Sequence, residues 1–283
     1  MRFQSPDANL AHIFECGQCF RWDAEEDGSY TGIARGGHVA NISLLGEGSQ
    51  GGTIVIETPD AAADDQVSES EKEFWYRYLD LGRDYGEVKR KLIEGDSTGV
   101  MAKAVAYGEG IRILSQDPWE ATLSFIISQN NNIPRIKKNI RDLSRAFGEK
   151  VCEWRGREWF DVPSAETLAS LSEEDLAPIR LGYRARYLIE TGRCVAEEGI
   201  DVIKEDPSCL CGVGPKVANC IKLFGLGQMD IFPIDVWVRK VMSELYGIDS
   251  PKEAASFAAE QFGEYGGIAQ QYLFNYMREN NRK

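Results

Sequence analysis

The stretch "LCGVGPKVANCIKLFGLGQMDIFPIDVW", Leu210 to Trp237, decides how the rest of the chain is read. Gly212 and Gly214 permit backbone angles closed to other residues, and Pro215 sits where a helix begins. Unpaired backbone N–H groups at a helix start, fronted by glycines, make a seat for an anion, of which phosphate is the natural example. A plain corner between two helices has the same glycines. Lys216 adds a second feature: it lies in the first turn, with Cys220 and Phe224 following on its face at i+4 and i+8. Such a lysine either snorkels to solvent or is held in a cleft. In a cleft near a positive helix end its pKa would fall and the amine would become a nucleophile. Asp235 opens the next helix as an N-cap, which keeps it ionised and gives it a fixed direction suited to a nearby cation.

Upstream, "SYTGIARGGHVANISLLG" and "TIVIET", between Ser29 and Thr58, alternate and are broken by glycines, as short strands do. From "EKEFWYRYLDL" onward the chain shows the 3-4 spacing of amphipathic helices. The long run "DPWEATLSFIISQNNNIPRIKKNIRDLSRAFG" starts with an N-cap and a proline at Asp117-Pro118, and "SAETLASLSEEDLAPI" carries a capping box at Ser172 and Asp175. The fold class is therefore α+β: a small N-terminal antiparallel β domain with flanking helices (residues 1–96), then a two-lobed α-helical region (97–283). The hairpin of helices occupies about 206–226.

The bulk properties exclude several classes. The 283 residues contain no run of about 18 apolar residues, and "MRFQSPDANLAHIFE" lacks a signal peptide's apolar core, so a cytoplasmic protein is expected. Seven cysteines fit a reducing compartment. The Cys16-x-x-Cys19 and Cys209-x-Cys211 pairs lie far apart and the only histidines are His12 and His38, so no metal site is expected. "ECGQCFRW" reads as a turn into a strand. A net charge of -13 argues against a generic nucleic-acid binder, and the acidic run Asp60 to Phe74 reads as a solvated linker. By contrast, Asn130 to Lys150 carries six Lys/Arg against two acids.

With these residues in place, "LCGVGPKVANCI" followed by "FPIDVW" resembles the helix-hairpin-helix, Gly/Pro-rich loop and aspartate signature of the base-excision DNA glycosylases. The resemblance is closest to the 8-oxoguanine DNA glycosylase/AP lyase branch, through "GQCFRW" (Gly17 to Trp22), "LSFIISQNNNIPRI" (Leu123 to Ile136), "LGYRARYL" (Leu181 to Leu188) and "AQQYLF" (Ala269 to Phe274). It covers most of the chain from about residue 8 to 280, and the linker matches poorly. It implies a bifunctional enzyme of base-excision repair, acting on double-stranded DNA that contains 8-oxoguanine and flipping the damaged base out of the stack.

The same resemblance implies roles residue by residue. Lys216 is the nucleophile at the sugar C1', and Asp235 stabilises the developing positive charge. Phe274 and Cys220 flank the base, Gln270 reads its Watson–Crick edge, and the Gly17 carbonyl accepts from the N7 proton that guanine lacks. Asn130, Arg135 and Arg184 contact the orphaned cytosine, Tyr183 is the wedge, and Gly212 and Gly214 approach phosphate. Trp237 stands where the family carries a phosphate-contacting histidine. No cofactor is required, although the family's hairpin also holds a monovalent cation on carbonyls that correspond to Ser208, Leu210 and Val213. No cysteine follows Cys220, which separates the chain from the iron–sulfur relatives. A membrane association is not implied, and a monomer working at the nucleoid is expected. Two other readings start from the same hairpin: a glycosylase for alkylated purines, which keeps the aspartate without needing Lys216, and a non-catalytic DNA-binding protein, which needs none of Lys216, Asp235, Gln270 and Phe274.

Overall fold

The computed structural model describes residues 1–5, 7–46, 52–59 and 67–280. Five strands make one antiparallel sheet: β1 (Arg2–Ser5), β2 (Trp22–Ala24), β3 (Tyr30–Ala34), β4 (His38–Leu45) and β5 (Gly52–Glu57). Their spatial order is β1-β5-β4-β3-β2, and α1 (Leu10–Phe14) connects β1 to β2. Register sets Ile42 opposite both Tyr30 and Ile56, and the period of two puts Ile54 on the same face. That face buries Ile42, Ile54 and Ile56 against Phe14, Trp22 and Trp75. Strand β1 lies upstream of the stretches expected to form strands, and at four residues it is too short for alternation to register; β2 is the strand that "ECGQCFRW" turns into.

The first part of the expected acidic linker, 60–66, lies outside the described residues. From Ser68 the chain is already structured, because the Ser68 hydroxyl caps α2 (Glu69–Tyr78). After α2 come α3 (Tyr85–Gly95), α4 (Val100–Tyr107), α5 (Pro118–Ser128) and α6 (Ile133–Phe147). The hairpin β6 (Lys150–Trp154) and β7 (Arg157–Phe160) follows. Then come α7 (Ala165–Ser170), α8 (Glu173–Leu176), α9 (Arg184–Glu198) and α10 (Asp201–Glu205). The last four are α11 (Pro215–Phe224), α12 (Val236–Tyr246), α13 (Pro251–Phe262) and α14 (Gly266–Asn280). Among the described residues no helix is long and apolar enough to cross a membrane.

The run from Asp117 to Gly148 divides into two helices. Asn130 adopts φ 45°, which asparagine tolerates better than most residues, and Asn132 caps α6 through the Arg135 N–H. The Ser172–Asp175 capping box forms, but it opens only the short α8, because Leu171 is extended and ends α7.

Two cores form. Trp75 and Tyr78 of α2 join the sheet, whereas Tyr85, Val88 and Leu92 of α3 belong to the helical core, as do Val100, Met101, Ala104 and Val105 of α4. The helices pack in two groups, α5 to α11 on one side and α3, α4 and α12 to α14 on the other. Across the β–helix junction, Arg21 pairs with Glu120 at 2.9 Å, their side chains only 5% and 6% exposed.

Candidate active site

Between the helical groups lies a cleft of about 680 Å³. Its walls come from the 16–20 loop, the turn after α5, the starts of α11 and α12, and one face of α14. It brings together Gly17, Asn130, Gly214, Lys216, Cys220, Asp235, Trp237, Gln270 and Phe274, nine of the expected residues.

The hairpin turn supplies the floor. Gly212 has φ 76°, and a Cβ there would meet Tyr187 Cδ2 at 2.2 Å, so only glycine fits. Gly214 is exposed and nothing lies within 4 Å of where its Cβ would be. It N-caps α11 with no side-chain acceptor, so the first-turn N–H groups stay available to an anion. Among the carbonyls assigned to a cation, that of Leu210 accepts the Val213 N–H at 3.1 Å and keeps a second lone pair.

Lys216 is half-buried, and its ammonium lies 5.5 Å from the centre of the Phe125 ring. Cys220, one turn on, is buried, and burial pushes its thiol pKa up against the pull of Lys216. Asp235 N-caps α12, its Oδ1 accepting the Val238 N–H at 2.8 Å. Burial raises its carboxyl above the ordinary range; the Val238 N–H and then Lys216 work in the opposite direction. A lysine and a carboxylate that sense each other across a concave, partly dry cleft suit attack at a carbon that becomes cationic.

The reading wall has two parts from opposite ends of the chain. Gly17 has φ 81°, and a Cβ there would lie 3.5 Å from the Phe274 ring. Its neighbour Gln18 is fully buried and holds the loop, donating to the Ile13 and Arg112 carbonyls at 2.8 and 2.7 Å and accepting the Leu114 N–H at 2.9 Å. On α14, Gln270 is buried and its Oε1 accepts from Gln271 Nε2 at 2.9 Å. Gln18 and Gln271 were not among the residues singled out from sequence.

The CxxC of the same loop consists of two buried free thiols. Cys16 donates to the Ile13 carbonyl and Cys19 to that of Phe14, and burial pushes the Cys16 pKa up to about 11. Among the described residues no group of three or more His, Cys, Asp or Glu is placed to hold a metal ion.

The remaining expected contacts flank the cleft. Tyr183 is 46% exposed and its hydroxyl accepts from Asn130 Nδ2 at 3.4 Å, and Arg135 is exposed, donating to the Arg180 carbonyl. Arg184 differs from the expectation of an outward-facing donor. It is buried, stacks on Tyr183, and gives its N–H groups to the carbonyls of Gln129, Asn130 and Leu181. It therefore secures the turn that carries Asn130, because a buried guanidinium needs acceptors and the turn offers two, with Leu181 on its own loop supplying the third. Trp237 is half-buried and packs against the helical core.

Known proteins resemble this chain in sequence and fold. Residues 1–122 match the 8-oxoguanine DNA glycosylase N-terminal domain, and residues 123–263 match the HhH-GPD superfamily of base excision DNA repair proteins. The chain belongs to the 8-oxoguanine DNA glycosylase branch of that superfamily. It is 30% identical to an N-glycosylase/DNA lyase of Saccharomyces cerevisiae, over 86% of this chain and 69% of that protein. It is 33% identical to a probable N-glycosylase/DNA lyase of Methanothermobacter thermautotrophicus, over 60% of this chain and 64% of the relative, so that match spans less than two thirds of the relative's length. The solved 8-oxoguanine glycosylase/lyase of Clostridium acetobutylicum, in complex with double-stranded DNA containing cytosine opposite 8-oxoguanine, superposes with a TM-score of 0.84. Identity there is 38%, over 99% of this chain and 98% of the neighbour.

Proposed function

We propose that this chain is a bifunctional DNA glycosylase/AP lyase that excises 8-oxoguanine, preferentially opposite cytosine, from double-stranded DNA. The observation that carries the reading is the convergence of Lys216 and Asp235 on one cleft with Gly17, Cys220, Gln270 and Phe274. In this reading a flipped base enters between Phe274 and Cys220, with Gln270 on its Watson–Crick edge and the Gly17 carbonyl on its N7 proton. The discrimination is against guanine, whose N7 lone pair would face that carbonyl in a dry pocket.

The Lys216 amine then attacks C1'. The glycosidic bond breaks, its electron pair leaves with the base, and Asp235 stabilises the cationic character at the sugar. Loss of a proton from nitrogen and opening of the ring give a Schiff base at C1'. Removal of a C2' proton expels the 3' phosphate by β-elimination, and water releases the lysine. The uncapped start of α11 takes a backbone phosphate in this scheme, and Trp237 lies beside it with one indole donor. Asn130 and Arg135 face the estranged cytosine, with Tyr183 as the wedge; Arg184 joins them only by exchanging carbonyl acceptors for base acceptors. The reading takes the chain to act as a monomer on double-stranded DNA in the cytoplasm, at the nucleoid.

The test is borohydride trapping on a duplex with one 8-oxoguanine opposite cytosine. A covalent protein–DNA adduct is expected from the intact chain and none from Lys216→Ala. Base release without any adduct would instead mean a monofunctional enzyme, and tight lesion binding with neither would mean a binding protein. Comparable excision opposite all four bases would remove the cytosine preference.

A further inference from the structure

Gln270, Phe274 and Arg278 follow one another at i, i+4 and i+8 on α14 and all three line the cleft. The sequence reading used the first two and passed over the third. Arg278 is only 6% exposed. Its Nη2 donates to the Glu15 carbonyl at 2.7 Å and its Nε to Glu279 at 2.8 Å. The guanidinium carbon sits 5.3 Å from the centre of the Phe274 ring. Its third nitrogen, Nη1, is buried with no hydrogen-bond partner and lies 3.7 Å from where a Cβ on Gly17 would be.

A buried guanidinium N–H left without an acceptor is costly, and here it stands next to the residue assigned to the N7 proton. The stripe on α14 has an order. Gln270 stands at one end, Phe274 in the middle, and Arg278 about 12 Å from Gln270 at 1.5 Å per residue. A purine stacked on Phe274 with its Watson–Crick edge toward Gln270 turns its imidazole edge toward Gly17 and Arg278. The acceptor on that edge, beyond N7 and away from Gln270, is the oxygen on C8. Undamaged guanine has only a C–H there.

We infer that Arg278 is a further specificity-determining residue, whose Nη1–H donates to O8 of the flipped 8-oxoguanine. The inference rests on the proposed function and deepens it. Gly17 would test for a proton on N7 and Arg278 for an oxygen on C8, two independent marks of one oxidation. With guanine in the pocket the Gly17 carbonyl would meet a lone pair and Nη1 would stay unpaired.

The experiment measures single-turnover excision of 8-oxoguanine and of 8-thioguanine, both opposite cytosine, by the intact chain, Arg278→Met and Arg278→Lys. The thio analogue keeps the N7 proton but replaces O8 by sulfur, a weak acceptor. The ratio of the two rates within one variant cancels any loss of folded protein and any displacement of the Glu15–Gly17 loop common to both substrates. The intact chain is expected to favour the oxygen substrate by about 10-fold or more, the size of a hydrogen bond from a charged donor. Arg278→Met is expected to bring that ratio near one while slowing 8-oxoguanine excision about 10- to 100-fold. Arg278→Lys is expected to recover part of the ratio. An unchanged oxygen-to-sulfur ratio in Arg278→Met overturns the inference even if the variant is slow, because it reduces Arg278 to a loop fastener. Failure of the intact chain to release 8-oxoguanine at all would strike the proposed function instead, so the two failures are distinguishable.

Discussion

The two glycines of the hairpin turn are predicted to fail in opposite ways. Alanine at position 212 has to adopt φ 76°, which costs an L-residue about 1–2 kcal/mol. It also has to place a methyl 2.2, 2.4 and 2.7 Å from three carbons of the Tyr187 ring. These are backbone-directed overlaps with a ring plane, not with the end of a flexible chain, and relief by moving Tyr187 is an overpacking cost of about 1–3 kcal/mol. Gly212→Ala should therefore destabilise the chain by roughly 2–5 kcal/mol in a denaturant titration. Gly214→Ala has open space and an ordinary φ of -84°, so its stability loss is confined to a poorer N-cap, at most about 1 kcal/mol. The same open space is the approach to the N–H groups of α11. Binding of Gly214→Ala to a duplex with a stable abasic-site analogue should weaken about 10-fold or more, the cost of a lost charge-assisted contact. Wild-type stability in Gly212→Ala would refute the steric argument. Wild-type affinity in Gly214→Ala would show that no phosphate sits in front of α11.

Two further outcomes follow from buried charge. Asp235 has a raised carboxyl pKa, so its ionised form appears at higher pH than that of an ordinary aspartate; excision should fall on the acid side with a midpoint above about 3.9, and Asp235→Asn should lose this limb together with most activity. A carboxyl whose folded pKa is raised contributes stability at low pH that is lost as pH rises through that pKa, so Asp235→Asn should be the more stable protein at pH 7, with its advantage shrinking on acidification; thermal melts across pH read this directly. Arg21→Met leaves Glu120, already raised by burial, without its partner, and should cost about 3–5 kcal/mol at neutral pH and less at lower pH, where Glu120 takes up a proton. A loss independent of pH would mean that packing, not the carboxylate, carries the effect.

Much of the architecture was legible because local rules and the fold agree. Asp117, Ser172 and Asp235 act as caps, as their positions before apolar-periodic runs require. The β6–β7 hairpin escaped notice although its turn is written in Arg155–Gly156. Both residues take positive φ, 52° and 69°, as a two-residue hairpin turn demands, but arginine is an uncommon first member of that pair. Asn130 also sat inside an apparently continuous helical run, and its left-handed backbone, between the extended Gln129 and Asn132, separates α5 from α6. In the site, Lys216 stood out as a charge on an otherwise apolar helix face, and Asp235, an ordinary cap by itself, stood out through the signature it shares with Lys216. Gln18, Gln271 and Arg278 did not, because a long polar side chain has a defined partner only once a distant segment is brought against it. Arg184 was legible as a donor near Asn130, but not as one whose donors are already spent on the turn beneath.

The Arg278 link to the Glu15 carbonyl spans 263 residues of chain, whereas Lys216 and Asp235 stand on the consecutive helices α11 and α12. Chemistry and choice therefore differ in topological cost. The reactive pair assembles from near neighbours, and the wall that selects the base exists only when segments near the two ends of the chain have closed on each other. Sub-global opening at either segment, well short of unfolding, erases discrimination while α11 and α12 keep the reactive pair. Fidelity, in this molecule, is a property of tertiary closure and is the first function that thermal or mutational strain would take away.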